Sequence, residues 1–252
     1  MDPLQLAVDT AREAGALLRD RSGALDIGEK SARGDLVTAA DRESERFIAD
    51  RLRAAFPAAT ILGEEGGVRA GDPAERWIID PLDGTTNYAH GYPLYCVSIG
   101  YERDGEVVAG AVYAPALDEL YCAERGGGAS CNGRSLHVST IERVRDALVC
   151  TGFVPARYER NGANFARLSQ LAQAVRRDGA AALDLCFVAR GTFDAFWELD
   201  LSAWDVAAGA LIVREADGRV SACDGTTFAV AGGSILASNA LVHAEMLAAL
   251  SG

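Results

Sequence analysis

Four acids in this 252-residue chain stand where an apolar run or a turn delivers them: Glu64, Asp80, Asp83 and Asp205. Glu64 closes the run Thr60-Ile61-Leu62-Gly63-Glu64-Glu65, and Asp80 closes Trp77-Ile78-Ile79-Asp80. Both runs read as strands, and carboxylates at strand ends project into the adjoining crevice. Asp80 and Asp83 are joined by Pro81-Leu82, which reads as a tight turn. Two carboxylates so close repel, and a divalent cation between them removes the repulsion. Magnesium suits such a site because it prefers hard oxygen ligands and keeps several waters. The Leu82 carbonyl would add a neutral ligand.

Gly84-Thr85-Thr86-Asn87 follows directly. If a helical turn starts here, the N–H groups of Gly84 and Thr85 point at the same crevice, where unsatisfied donors and the helix dipole attract phosphate. Cations and an amide nest in one turn are what phosphoester hydrolysis requires, with one ion activating water and another steadying the leaving oxygen. Taken singly, each residue has a plainer reading. Asp83 or Thr85 would cap a helix, and Asp-Gly is a common turn. Glu64-Glu65 would be a solvated loop end, and Asp205 a first-turn acid answering the helix dipole. Asp41 would be an N-cap, and Lys30 and Asp35 loop charges. Asp80 three residues before Asp83, with an apolar strand ahead of both, decides for the chemical reading at that motif.

The elements that must position these residues follow from periodicity. Leu4, Ala7, Val8, Ala11, Ala14, Leu17 and Leu18 predict a helix over 4–18, and Phe47, Ile48, Leu52 and Phe56 predict another over 41–56, ended by Pro57. From Tyr95 to Glu124 the pattern is a meander, with Asp104-Gly105 a hairpin turn between 97–102 and 107–113. Gly126-Gly127-Gly128 reads as a flexible loop. Beyond it, strands at 147–151, 193–197 and 235–238 alternate with helices near 165–175, 183–189, 203–215 and 240–250. Such alternation suggests a layered α/β half. Residues 1–145 and 146–252 are read as two halves of a single unit.

Composition excludes other classes. A net charge of −12 argues against duplex nucleic acid as a partner. No apolar stretch reaches about 18 residues, so no membrane span is expected. The amino terminus has no basic region followed by a short apolar run, so no secretory signal is expected. The six cysteines include no C-x-x-C pair and only three histidines accompany them, so zinc is not expected and reduced thiols of a cytoplasmic protein are.

Together these residues resemble the inositol monophosphatase family. The matching stretches are Asp35–Asp41, Gly63-Glu64-Glu65, the run from Trp77 to Asn87, and Trp204-Asp205-Val206-Ala207-Ala208-Gly209, in the family's order along essentially the whole chain. The resemblance implies a five-layer α-β-α-β-α sandwich of the sugar-phosphatase type and two or three Mg²⁺ per subunit. It assigns Glu64, Asp80 and the Leu82 carbonyl to one ion and Asp80, Asp83 and Asp205 to a second, with Glu64 facing a weaker third. Thr85, oriented by Asp41, would help position the attacking water, with Glu64 and Glu65 nearby. Gly84 and Thr85 amides would hold the phosphate, beside Asp83 and Asp205. Glu198 and the backbone of Ala181 would contact substrate hydroxyls. A homodimer and lithium inhibition are also implied. One departure stands out: Ala180 occupies a place where the family often has Ser or Thr.

The substrate expected is a small phosphorylated polyol or sugar, with inositol monophosphate first. Fructose bisphosphate, histidinol phosphate and nucleotide phosphates are the alternatives within the superfamily. A haloacid-dehalogenase mechanism is disfavoured because Pro81-Leu82 puts two residues, not one, between the acids. A non-catalytic acidic homodimer acting as a protein partner is the remaining alternative.

Overall fold

The computed structural model describes residues 1–21, 27–29, 36–153, 158–231 and 233–251, with backbone alone for 21, 27–29, 36–38 and 158–160. Lys30 and Asp35 lie outside the described residues. The first half holds helices α1 (Pro3–Arg21), α2 (Ala39–Ala55) and the short α3 (Thr85–Ala89). Its strands are β1 (Ile27–Glu29), β2 (Leu36–Thr38), β3 (Ala59–Gly63), β4 (Gly67–Arg69), β5 (Asp72–Asp83), β6 (Cys96–Arg103), β7 (Glu106–Ala114), β8 (Glu119–Glu124), β9 (Gly128–Cys131) and β10 (Arg134–Ser135). The second half holds β11 (Leu148–Thr151), α4 (Tyr158–Leu171), β12 (Ala174–Arg176), α5 (Ala181–Ala189), β13 (Ala195–Leu199), α6 (Ala203–Glu215), β14 (Arg219–Ser221), β15 (Ser234–Ser238) and α7 (His243–Leu250).

Strands β3 to β10 form one sheet in the order β10-β9-β8-β7-β6-β5-β3-β4, and the second half forms another in the order β12-β11-β13-β15-β14. Helices α1 and α2 cover the outer face of the large sheet, α5 and α6 lie between the sheets, and α4 and α7 cover the small sheet. The result is a five-layer α-β-α-β-α sandwich. Helix α6 is buried without a break from Val206 to Val213, as expected of a helix apolar all round and covered on both sides by sheets. Strand β5 is buried continuously from Trp77 to Asp83 for the same reason. Trp77 anchors the outer core, its ring 5.4 Å from Phe56 and 4.6 Å from Tyr101.

Several local expectations are corrected. Pro81-Leu82 is not a tight turn: β5 runs through it, with an irregularity in its pairing. The Gly126–Gly128 segment is the turn of the β8–β9 hairpin, and the N–H groups of Gly126 and Gly128 both donate to the Glu215 carboxylate at 2.9 Å. The helix expected to reach residue 175 stops at Leu171, because Ala174–Arg176 pairs in parallel with β11. Asp104-Gly105 does turn the β6–β7 hairpin, with φ of 53° and 81° at its two residues. No helix among the described residues is long and apolar enough to cross a membrane.

The small sheet is pinned to α7 by His243, fully buried, whose Nε2 lies 2.9 Å from Ser221 Oγ and Nδ1 2.8 Å from Ser238 Oγ. Burial lowers its pKa from 6.5 to about 4. Between those values the unfolded chain holds a proton that the native ring lacks, so this residue's contribution to stability falls as pH falls through the window. The slope is at most about 1.4 kcal/mol per pH unit. Urea unfolding at about pH 6.5 and about pH 4.5 should show a smaller loss in His243→Gln than in the wild type; equal losses would remove His243 from this role.

Candidate active site

In a regular strand, residues three apart point to opposite faces. Asp80 pairs with Ser98 and Asp83 with Cys96, so three steps on β5 oppose two on β6. This extra residue is a bulge, and it turns both carboxylates to the same side of the sheet. Pro81, which has no N–H to offer the ladder, sits inside it. The Leu82 N–H folds back onto Asp80 Oδ1 at 3.0 Å. Both acids are buried, Asp80 to 2 % and Asp83 to 8 % exposure.

The neighbouring acids arrive from two other elements. Strand β3 lies parallel to β5 with Gly63 opposite Ile79, so half-buried Glu64 emerges level with Asp80. Asp205 sits in the first turn of α6, where its Oδ2 accepts from the Ser202 N–H at 2.7 Å as part of a capping box. The preceding residue, Trp204, accepts through its carbonyl from Ser98 Oγ at 3.4 Å, and Ser98 is the cross-strand partner of Asp80. Burial pushes the Asp80 carboxyl well above the ordinary carboxylate range, and the charges of Glu64, Asp83 and Asp205 push it further; the Leu82 N–H opposes them. Burial also raises Asp83, against hydrogen bonds from the Ala182 N–H and the Cys96 thiol.

Helix α3 begins directly after the bulge. Gly84 caps it with φ of 88°, and a Cβ there would come within 2.9 Å of the Leu94 carbonyl and 3.2 Å of Ala180 Cβ. Glycine is required by both its conformation and its contacts. Thr85 Oγ1 lies 3.1 Å from Asp41 Oδ1 and 3.1 Å from the Leu82 carbonyl. Its single hydroxyl hydrogen serves one acceptor at a time, and the carboxylate is the stronger.

Helix α2 supplies more than Asp41. Ser44 Oγ donates to the Pro81 carbonyl at 2.9 Å, inside the bulge. Glu45 accepts from the N–H groups of Glu65 and Gly66, both at 2.7 Å, and so holds the loop that carries Glu64 and Glu65. Sequence reasoning missed Ser44 and Glu45. The signal was available: Asp41, Ser44, Glu45, Ile48 and Leu52 make one buried helical stripe whose N-terminal end is polar.

The second half closes the crevice. The Ala182 N–H at the start of α5 donates to Asp83 Oδ2 at 2.8 Å. Ala180, the N-cap of α5, makes no side-chain cap, so Asp83 supplies from another element what a hydroxyl at 180 would have supplied locally. Asn87 Nδ2 donates to the carbonyls of Leu94 and Asp178 at 2.6 and 2.8 Å and ties α3 to the segment before α5. Glu198, 8 % exposed on β13, lies against Gly152, where a Cβ would collide with its carboxylate. Burial raises Glu198, followed by the charges of Asp205 and Asp83, with Arg177 opposing. Gly152 and Asn87 are further contributors that no periodicity singles out.

The model of the inositol monophosphatase family matches residues 2–252. The chain belongs to that family. It is 43 % identical over 253 residues to the inositol-1-monophosphatase of Mesorhizobium japonicum, covering 98 % of this chain and 95 % of that protein. It is 44 % identical over 248 residues to Nus factor SuhB of Pseudomonas aeruginosa, covering 94 % and 91 %. The crystal structure of extragenic suppressor protein suhB from Bartonella henselae superposes with a TM-score of 0.93 at 39 % identity, covering 98 % of this chain and 97 % of that one. As a member of the inositol monophosphatase family the protein is a phosphoric monoester hydrolase, and the crevice between β5, β3, α3 and α6 is its candidate active site.

Glu45→Ala should release the Glu64–Gly66 loop. The divalent-cation concentration for half-maximal phosphatase activity is expected to rise about 10- to 100-fold, with kcat at saturating cation changing far less. An unaltered cation requirement would show that Glu45 does not position the loop.

Proposed function

We propose that this protein hydrolyses the phosphate monoester of a small polyol, inositol monophosphate first among them, by direct in-line attack of water. The observation that carries the reading is the β5 bulge, which turns Asp80 and Asp83 to one side beside Glu64 and Asp205. The residues present fit magnesium: buried carboxylates raise one another's pKa, and every donor is a hard oxygen. Glu64, Asp80, the Leu82 carbonyl, Asp83 and Asp205 would hold two or three Mg²⁺. Bound there, magnesium supplies positive charge against the phosphate and acidifies water.

The chain's own residues do the rest. Thr85 donates to Asp41, which leaves its oxygen lone pairs to accept a hydrogen bond from the attacking water and orient it. Glu64, with Glu65 beside it, stands to accept the water's proton. The N–H groups of Gly84 and Thr85 hold the phosphate oxygens at the first turn of α3. Asp83 and Asp205 border the same space, while Glu198 and the Ala181 backbone receive the polyol hydroxyls. Catalysis then rests on positioning and charge stabilisation, with no covalent phospho-enzyme. A cytoplasmic homodimer inhibited by lithium is part of the same reading. Relatives named inositol-1-monophosphatase at 43 % identity support the substrate choice.

One observation favours a second reading. A relative at 44 % identity is named Nus factor SuhB, which supports a role as a protein partner for this acidic chain as well. Rescue of a deletion strain by Asp80→Asn as fully as by the wild type would establish that role apart from catalysis.

Asp80→Asn is expected to lower turnover by at least about a hundredfold, because neutralising a shared ligand weakens both cation sites. Near-wild-type kcat in that variant would remove Asp80 from the bridging role. Glu198→Gln should act on KM and on the ranking of substrates, with kcat on the best phosphate little changed. A panel of inositol, fructose, histidinol and nucleotide phosphates, run with and without Li⁺, tests the substrate. A preference for a nucleotide or histidinol phosphate over inositol monophosphate would overturn the assignment within the family.

A further inference from the structure

Among the described residues, three side chains outside the crevice bring potential ligand atoms within 4.8 Å of one another: Cys150, Asp178 and Asp184. They come from three segments. Cys150 is on β11, Asp178 lies between β12 and α5, and Asp184 is in the first turn of α5. Cys150 is fully buried, Asp184 is 1 % exposed, and Asp178 is half-buried. Neither carboxylate oxygen of Asp184 receives an N–H or O–H hydrogen bond, and the one donor turned toward it is the Cys150 thiol of the same trio. Buried polar groups are nearly always paired, and a buried carboxylate least tolerates being left alone. Both of its oxygens are therefore placed to accept a ligand, and the nearest groups are another carboxylate and a thiol, which compound the need for positive charge when ionised.

We propose that Cys150, Asp178 and Asp184 form a second cation site, selective for a borderline divalent ion of the zinc type. Thiolate sulfur favours such ions over magnesium, and carboxylates complete a mixed sulfur–oxygen set. Bonds of roughly 2.0–2.3 Å to a shared zinc-type ion are compatible with ligand atoms that lie within 4.8 Å of one another. Half-buried Asp178 gives the ion its route in, and Asn87, by holding the Asp178 carbonyl at 2.8 Å, fixes that segment. Cysteine spacing argues against zinc because it looks for ligand pairs close in sequence; here the fold assembles the set from separated segments. The site backs onto the substrate side of the crevice, since α5 also presents its Ala182 N–H to Asp83 and Cys150 precedes the Gly152 that supports Glu198. The inference does not rest on the identity of the phosphate substrate.

Cobalt tests it, because Co²⁺ bonded to a thiolate shows a charge-transfer absorption that Co²⁺ on oxygen ligands lacks. The full chain, stripped by chelation and then saturated with Mg²⁺ to fill the crevice, is titrated with Co²⁺. The band should grow to about one equivalent, disappear in Cys150→Ser, and require at least about tenfold more Co²⁺ in Asp178→Asn. Cys96→Ser is the control, because Cys96 lies 3.6 Å from Asp83. Absence of the band, or its loss in Cys96→Ser and not in Cys150→Ser, overturns the proposal. Should Cys150→Ser fail to fold, the half-buried Asp178→Asn decides, and unchanged Co²⁺ affinity in it also overturns the site.

Discussion

Burying like charges together is the constraint around which this fold is organised. Asp41, Asp80, Asp83 and Glu198 are all at most 8 % exposed, and Glu64 and Asp205 border the same space. A chain selected for stability alone would avoid such a cluster, because an ionised carboxylate taken from water needs close compensation. The compensation is distributed unevenly. Asp41 faces a threonine hydroxyl, Asp205 the start of its own helix, and Asp83 the first N–H groups of α5. Asp80 has the Leu82 N–H and three acidic neighbours: burial raises its carboxyl, and the charges of Glu64, Asp83 and Asp205 raise it further. Cations at the crevice would resolve this imbalance, and the fold and the proposed chemistry would then share one requirement.

The same constraint explains why the bulge belongs in β5 and not in an edge strand. Strand β5 is flanked by β3 and β6, and that position lets Glu64 come from one side and Ser98, with Trp204 behind it, from the other. An unbroken ladder would leave Asp83 facing the opposite layer from Asp80. Pro81 forbids one ladder hydrogen bond and Gly84 accepts a positive φ immediately after the acids, so the two residues bracket the irregularity. Local sequence and global architecture agree here about where regular structure must fail.

What the sequence revealed follows the range of the interactions involved. The helix over 203–215 and the Asp104-Gly105 hairpin are written in short-range patterns and stand where periodicity puts them. Glu64 follows β3 as expected, whereas Asp80 lies inside β5 and only Asp83 ends it. The five-layer order came from the family resemblance of the long motif near Asp80. Illegible were features set by partners distant in sequence. The Pro81-Leu82 segment reads as a turn until β6 is placed beside it. Ala174–Arg176 reads as the end of a helix until β11 offers it a parallel ladder. Glu45 looks like a solvated helix charge, and its function depends on a loop 20 residues away.

Helix termini carry the last part of the electrostatics. The first turns of α3, α5 and α6 all face the crevice, and each offers N–H groups and a positive dipole end. Two of the three are already engaged by the protein's own acids: α5 by Asp83 and α6 by Asp205. On the proposed function, α3, preceded by Gly84 and carrying Thr85, is the terminus that would receive the phosphate. A five-residue helix has a weak dipole, so α3 contributes directed N–H groups more than field. On the proposed function, the attraction of an anionic substrate to a crevice lined by carboxylates would come from cations. Ala180 fits this division: without a hydroxyl of its own at the start of α5, the helix takes its cap from Asp83 and fixes that acid at the crevice.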